Sequence, residues 1–353
     1  MTPTSENIND FAELKHQIDA EIEKYSNELI EKTVEEFGEY PSEPVKAYTE
    51  ILSRGGKRIR GALTITGYKM FGGTDCPVAL RAALVVEMLH AYILIIDDIQ
   101  DRSETRRGGD AAHVLLEGEL GSHFGQSIAM NAALIGLHSA INVLESIDVD
   151  PELRLSAIRN VNERFLTTLH GQTQDIYNEV SGDVTMKDIN NVLLWKTAYY
   201  TFLNPLQLGA ILAGASNKHL ESLEEYSMHA GRLFQITDDI LGVFGDSELT
   251  GKSAMDDIRE GKRSILTVKA LELATESDSK FLKSMLGNRS VTDDQFRRCR
   301  TIIEGSGALK FANDQAEQSL AKARQSTELI NGAIDEETKT LSELLELLIT
   351  RKS

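Results

Sequence analysis

Along nearly the whole chain, apolar side chains recur with helical spacing, and no stretch alternates convincingly as a half-buried strand would. Segments 10–36, 43–54, 57–71, 77–100, 124–146, 150–180, 186–214, 219–245, 262–276, 292–305, 308–332 and 335–350 all carry this pattern. Only six prolines interrupt 353 residues, which suits long helices, because proline breaks helix interiors. Thr292 with Gln295, and Thr185 with Asp188, stand at capping-box spacing and mark two helix starts. Segments 82–96 and 128–141 are apolar nearly all round, the mark of helices enclosed by other helices. Neither a low-complexity linker nor an internal repeat divides the chain. The expectation is an all-α protein: a flexible leader over residues 1–15, then one helical domain over 16–353.

Composition removes several classes of function. A formal charge of −18 argues against nucleic acid and anionic membrane as partners, since both call for a basic face. Cys76 and Cys299 lie far apart with no CxxC spacing, so neither a disulfide framework nor a zinc site is expected. The N-terminus lacks the basic flank and apolar core of a secretory signal. The longest uninterrupted apolar stretch, Ala91–Ile96, is too short to span a bilayer. A cytoplasmic protein without an integral membrane segment is expected.

Against that acidic background, "ILIIDDIQDRSETRRGG" (93–109) drives an apolar helix straight into Asp97, Asp98 and Asp101, with Arg106 and Arg107 shortly after. On a helix the three acids project to neighbouring positions, where like charges cost roughly 0.2–0.5 kcal/mol even in water. A hard cation relieves that repulsion: Mg²⁺ prefers oxygen ligands and is typically held by one or two carboxylates plus substrate phosphates. "GRLFQITDDILGVFGD" (231–246) repeats the design with Asp238, Asp239 and Asp246, and Gln235 one turn earlier. Lys252 and Lys262 follow it, and "SRGGKRIRG" adds Arg54, Lys57, Arg58 and Arg60 beside a glycine pair. Carboxylate-held metal together with arginine forks and lysine charges suits a site for two polyphosphate groups.

These residues resemble the trans-isoprenyl diphosphate synthases, or polyprenyl synthetases, most closely those of geranylgeranyl type. The matching stretches, in order, are "GGKRIR" 55–60, "EMLHAYILIIDDIQD" 87–101, "RRG" 106–108, "GQTQD" 171–175, "KTAYYTF" 196–202, "FQITDDILGVFGD" 234–246 and "GKSAMDDIREGKRS" 251–264. The resemblance implies a bundle of about ten core helices around a deep central cavity and a homodimer. It implies Mg²⁺, three per site and replaceable by Mn²⁺, and condensation of isopentenyl diphosphate with dimethylallyl, geranyl or farnesyl diphosphate. Carried over by position, Asp97, Asp101 and Asp238 bind metal directly, and Asp98 and Asp239 support them. Arg106, Lys196, Lys252 and Lys262 hold the allylic diphosphate, with Gln172 and Asp175 lining the same space. Lys57, Arg60, His90 and Arg107 hold isopentenyl diphosphate, and Thr197 and Gln235 turn dipoles toward the allylic cation. The sequence departs from the family wording at Gly242, where many members carry a third aspartate, at Asp110 in place of a proline, and at Ile96 in place of a histidine.

Product length in such enzymes depends on what blocks the shaft beneath the first acids. Ile93 lies one helical turn before Asp97, Leu89 continues its stripe, and Tyr92 points elsewhere on an ideal helix. By analogy with the family, the aromatic Tyr92 forms the floor, with Ile93 and Leu89 beside it, implying a C20 product and a C15 product as the runner-up. Two rivals differ in class. A terpene cyclase needs one diphosphate site and would leave "GGKRIR" without a task, and an inert partner subunit tends to lose carboxylates this chain keeps.

Overall fold

The computed structural model describes residues 5–245, 254–330 and 332–350. They are all-α apart from one tiny hairpin, as the periodicity predicts. They gather into two compact units: residues up to Asn160 with Pro205–Ser216, and Val161–Asn204 with the residues from Asn217 onward.

The first unit contains α1 (Ser5–Phe37), α2 (Glu39–Ser53), α3 (Ile59–Met70), α4 (Cys76–Asp101), strands β1 (Thr105–Arg106) and β2 (Gly109–Asp110), α5 (Ala112–Leu115) and α6 (Ser122–Glu145). Helix α1 starts at Ser5, inside the stretch expected as a leader. Helix α4 opens with the Asp75 side chain accepting from the Val78 amide, and Pro77 sits in its first turn, where its missing N–H costs nothing. From Ala82 to Leu89 every residue is buried, so α4 is enclosed by α6, α3, α2 and α1. Burying each of its large aliphatic side chains contributes about 1.5–3 kcal/mol. By length and composition α4 and α6 could both cross a bilayer, but α4 places that apolar surface inside the protein. Glycines permit close crossings: a β-carbon at Gly67 of α3 would lie 2.3 Å from the Leu206 carbonyl oxygen of α9 (Asn204–Leu212).

Inside this unit one basic residue proves structural. Arg58, 4% exposed, donates to Asp19 at 2.7 Å, to Glu87 at 3.2 Å and to the Leu52 carbonyl at 3.0 Å. Glu87 also accepts from the Gly61 amide at 2.9 Å. Arg58 therefore ties α1, α3 and α4 together and is spent within the fold.

The second unit holds most of α7 (Pro151–Val180), then α8 (Met186–Val192), a π-helical segment (Leu193–Leu203), α10 (Asn217–Phe244), α11 (Asp256–Glu260), α12 (Ile265–Leu273), α13 (Glu276–Met285), α14 (Asp293–Gly305), α15 (Ala308–Thr327) and α16 (Asp335–Thr350). Both predicted capping boxes form, at Thr185 with Asp188 and at Thr292 with Gln295. The continuous helix expected over 186–214 instead widens to π over eleven residues. Two close contacts accompany the widening. A β-carbon at Gly171 of α7 would lie 2.3 Å from the Lys196 amide nitrogen, and one at Gly231 of α10 would lie 2.4 Å from the Ala198 Cα. Tyr200 and Phe202 pack edge-on against Phe165 and Phe234, as expected of core aromatics. Helix α13 falls outside the predicted segments apart from Glu276, because it is short and mostly polar and relies on a Thr275 cap.

Candidate active site

In the first unit, α4 ends in a left-handed residue, Arg102, and the chain turns back through β1 and β2. The two-residue turn between the strands has positive φ at Arg107 and Gly108, the geometry that matches the twist of a tight hairpin. Arg54 braces this hairpin by donating to the Arg106 and Asp110 carbonyls at 3.1 and 2.5 Å. A side chain at Gly109 would strike that guanidinium, with its β-carbon 2.7 Å from the Arg54 Cζ. The second glycine of "RRGG" thus makes room for Arg54, a role hidden in the sequence because the partners are more than fifty residues apart.

The hairpin delivers its two arginines to different places. Arg106 Nε donates to both oxygens of Asp98, at 2.8 and 3.1 Å, while Nη2 closes on Oδ1. Asp98 is fully buried, whereas Asp97 is partly exposed and 3.7 Å from Arg106. Asp101 is also partly exposed. Arg107 donates to the Gly55 carbonyl at 2.6 Å and reaches His90 Nε2 at 3.2 Å. Arg60 reaches the same nitrogen at 3.2 Å, so Nε2 is an acceptor and the ring proton sits on Nδ1. Burial and the charges of Arg60 and Arg107 hold His90 well below the usual imidazole range. Burial, then the charge of Arg58, brings Arg107 down to about 10, so it still carries its proton at neutral pH. Arg60 and Arg107 around a neutral imidazole, with exposed Lys57 nearby in sequence, make a cationic cradle suited to an anion.

In the second unit, the π-helical segment presents Lys196 and Thr197. Lys196 Nζ donates to Asp175 of α7 at 2.7 Å. The Thr197 hydroxyl donates to Gln235 Oε1 at 2.8 Å, and Gln235 Nε2 donates onward to Asp239 at 2.9 Å. Asp239 is 3% exposed, and burial pushes its carboxyl up to about 6 against the pull of Lys262, 3.7 Å away. Asp257, then Asp239, hold the Lys262 ammonium well above its ordinary value despite burial. Asp238, its immediate neighbour, is exposed. Gln172 sits one turn before Asp175 on α7, half-buried.

Both aspartate motifs therefore share one design. The first acid of each pair, Asp97 or Asp238, remains accessible, and the second, Asp98 or Asp239, is buried beside a cation. Asp98 and Asp239, placed in support of the metal-binding acids by resemblance, have oxygens engaged by Arg106 and Gln235. Arg106, expected on the allylic diphosphate, is turned onto Asp98. Asp257, whose role the motif wording does not separate, emerges beside Lys262 at 3.9 Å. Lys252 and Asp246 lie outside the described residues. Tyr92 and Ile93 are half-buried and Leu89 is fully buried on α4.

Oxygen donors alone, with no cysteine or histidine among the acids, fit a hard cation such as Mg²⁺. Among the described residues no three acidic, histidine or cysteine side chains converge tightly enough to hold a metal on their own. A cavity of about 950 Å³ in the first unit is lined by Tyr40, Leu115, Phe124, Ile128, Leu134 and His138, none of them an expected site residue.

A helical scaffold carrying two acid motifs, each with its own cations, defines a protein built to bind diphosphates with a divalent metal. The polyprenyl synthetase profile matches residues 42–303. Geranylgeranyl diphosphate synthase of Saccharolobus solfataricus is 30% identical over 94% of this chain and 98% of its own length. Geranylfarnesyl diphosphate synthase of Aeropyrum pernix is 32% identical over 85% of this chain and 91% of its own. The crystal structure of a geranylgeranyl pyrophosphate synthase from Corynebacterium glutamicum, complexed with isoprenyl diphosphate and magnesium, superimposes with a TM-score of 0.88 at 28% identity, covering 96% of this chain and 98% of that one. The chain belongs to the polyprenyl synthetase family.

Proposed function

We propose that the chain condenses isopentenyl diphosphate with allylic diphosphates, head to tail, and releases geranylgeranyl diphosphate. The observation that carries this reading is the repeated design of an accessible acid beside a buried, cation-balanced one. In a cyclase, which handles one diphosphate, the separate cradle of Arg60, Arg107 and His90 would have no ligand.

Asp97, Asp101 and Asp238 would hold Mg²⁺, three ions per site with Mn²⁺ able to replace them. When bound, the metal neutralises charge that develops on the departing diphosphate. Asp98 and Asp239 keep Arg106 and Lys262 beside those acids, and Lys196, Lys252 and Lys262 add fixed positive charge. Cleavage of the allylic C–O bond leaves a diphosphate anion and a carbocation. Thr197 and Gln235 turn oxygen dipoles to that cation, an arrangement preorganised by the hydroxyl-to-amide bond between them. Lys57, Arg60, Arg107 and neutral His90 hold the second diphosphate while its double bond attacks, and the proton lost afterward goes to the released diphosphate. Tyr92, with Ile93 and Leu89, sets the length at C20, farnesyl diphosphate being the shorter alternative. An apolar space keeps water from the cation.

The working form is a homodimer in the cytoplasm. Met130 and Leu134, one turn apart on α6 and 45% and 49% exposed, support a covered apolar face. Cys76 and Cys299, both unpaired, suit a reducing compartment. The deciding experiment supplies Mg²⁺, isopentenyl diphosphate and each of the C5, C10 and C15 allylic diphosphates, and sizes the products by chromatography. A C20 diphosphate is expected. Hydrocarbon or alcohol products would indicate a cyclase, and no turnover would indicate an inert subunit.

A further inference from the structure

Arg54 ends α2, and its guanidinium reaches across to the hairpin. Nη1 donates to the Arg106 carbonyl at 3.1 Å and to the Asp110 carbonyl at 2.5 Å, while Nη2 pairs with Glu50. The side chain is 15% exposed, so this member of the basic island at 54–60 is committed within the fold. The hairpin returns a bond in the other direction. Arg107 Nη1 donates to the Arg54 and Gly55 carbonyls at 3.2 and 2.6 Å, and its Nη2 meets His90. Each segment therefore holds the backbone of the other through an arginine, and the two clasps share residue 54. Hydrogen bonds from a cation are roughly twice as strong as neutral ones. Strands of two residues each cannot hold a hairpin by themselves, since even longer isolated hairpins are marginally stable in water.

We propose that Arg54 is a positioning residue for the isopentenyl diphosphate cradle: its clasp on the hairpin fixes where Arg107 stands between Gly55 and His90. The inference rests on the diphosphate-binding reading above and adds a residue to it. Without the guanidinium, the hairpin keeps only its own short ladder and the bonds made by Arg107. Arg107 then loses its set place beside the His90 nitrogen that it shares with Arg60. Arg106 is affected less, because its side chain is anchored separately on buried Asp98. The signature is therefore one-sided: binding of isopentenyl diphosphate suffers and binding of the allylic diphosphate does not. A residue that merely stabilised the fold would weaken both or neither.

Steady-state kinetics of the full chain, with each substrate varied in turn, reads this signature, and calorimetry with isopentenyl diphosphate reads it without turnover. Arg54→Ala is expected to raise KM and Kd for isopentenyl diphosphate about tenfold to a hundredfold, as misplacing a binding group does. KM for the allylic diphosphate is expected to stay unchanged. Arg54→Lys keeps the charge but not the fork, and is expected to recover part of the loss. Gly109→Ala would bring a β-carbon within 2.7 Å of the Arg54 Cζ, and is expected to reproduce the one-sided effect by displacing the guanidinium. Because both changes act through one clasp, the double variant is expected to be no worse than Arg54→Ala alone. Should Arg54→Ala fail to fold, Arg54→Lys and Gly109→Ala carry the same comparison. Equal rises in both KM values, no rise in either, or full additivity in the double variant overturns the proposal. A wild-type chain that binds isopentenyl diphosphate, loses affinity in Arg54→Ala and yet elongates no prenyl chain would instead sink the functional reading and leave this inference standing.

Discussion

Arg106 donates from Nε to both oxygens of a fully buried Asp98 eight residues earlier, and this pairing sets the C-terminal end of α4. A lone carboxylate at that depth would be costly, and a planar guanidinium is the one side chain that satisfies both oxygens at once. The accessible Asp97 and Asp101 are thereby left on a rigid support.

Arg106→Gln should therefore destabilise the fold by about 3–5 kcal/mol, because the buried charge loses its partner. Arg106→Lys should lose less, retaining charge without the two-oxygen geometry. Adding Asp98→Asn to Arg106→Gln should return part of the loss, since the orphaned charge is then gone. Urea denaturation measures all three, and an unchanged midpoint in Arg106→Gln would count against the pairing.

Acid sensitivity should trace in part to His90. Its imidazole is held well below the ordinary value by burial, Arg60 and Arg107, so the unfolded chain takes the proton more readily. The stability contributed by neutral His90 is complete above about pH 6.5 and declines as pH falls toward the folded value. His90→Gln keeps an acceptor for the arginines but cannot titrate. Thermal melts from neutral to acid pH should show a shallower decline for the variant, and parallel curves would contradict the assignment.

Gly171→Ala tests how the π-helical segment is held. The added methyl would sit 2.3 Å from the Lys196 amide nitrogen and must push that backbone aside. A stability loss of about 1–3 kcal/mol is expected from overpacking. Displacing Lys196 and Thr197 should also lower kcat roughly tenfold to a hundredfold, more than the stability loss alone explains. Steady-state kinetics below the melting range would show it.

Tyr92→Ala should lengthen the product beyond C20. Tyr92 is half-buried on α4, five residues before Asp97, and its removal opens space beneath the acids. Product sizing of the variant decides the matter, and an unchanged C20 diphosphate would remove Tyr92 from that role.

Helix positions were legible from the sequence wherever periodicity ran for several turns, as in α4, α6 and α10, and both capping boxes could be read from two residues each. The acids, the arginines and their family were legible for the same reason: each motif is local, and a stretch of three to fifteen residues carries its chemistry. What each charge does was not local. Arg58 and Arg60 stand two apart in one motif, yet a left-handed φ at Arg58 sends its side chain into the core against Asp19 and Glu87, while Arg60 meets His90. The π-helical widening over Leu193–Leu203 coincides with close approaches by glycines on α7 and α10, contacts that no period within the segment reports. A side chain at Gly242 would strike Asp257, fifteen residues further along the chain. The sequence by itself determined which elements form and which chemistry is present, because backbone periodicity and residue type act over a few residues. Only the tertiary structure decided which carboxylates are buried against a cation and which remain accessible at the surface, because that choice depends on burial and on partners brought together by folding.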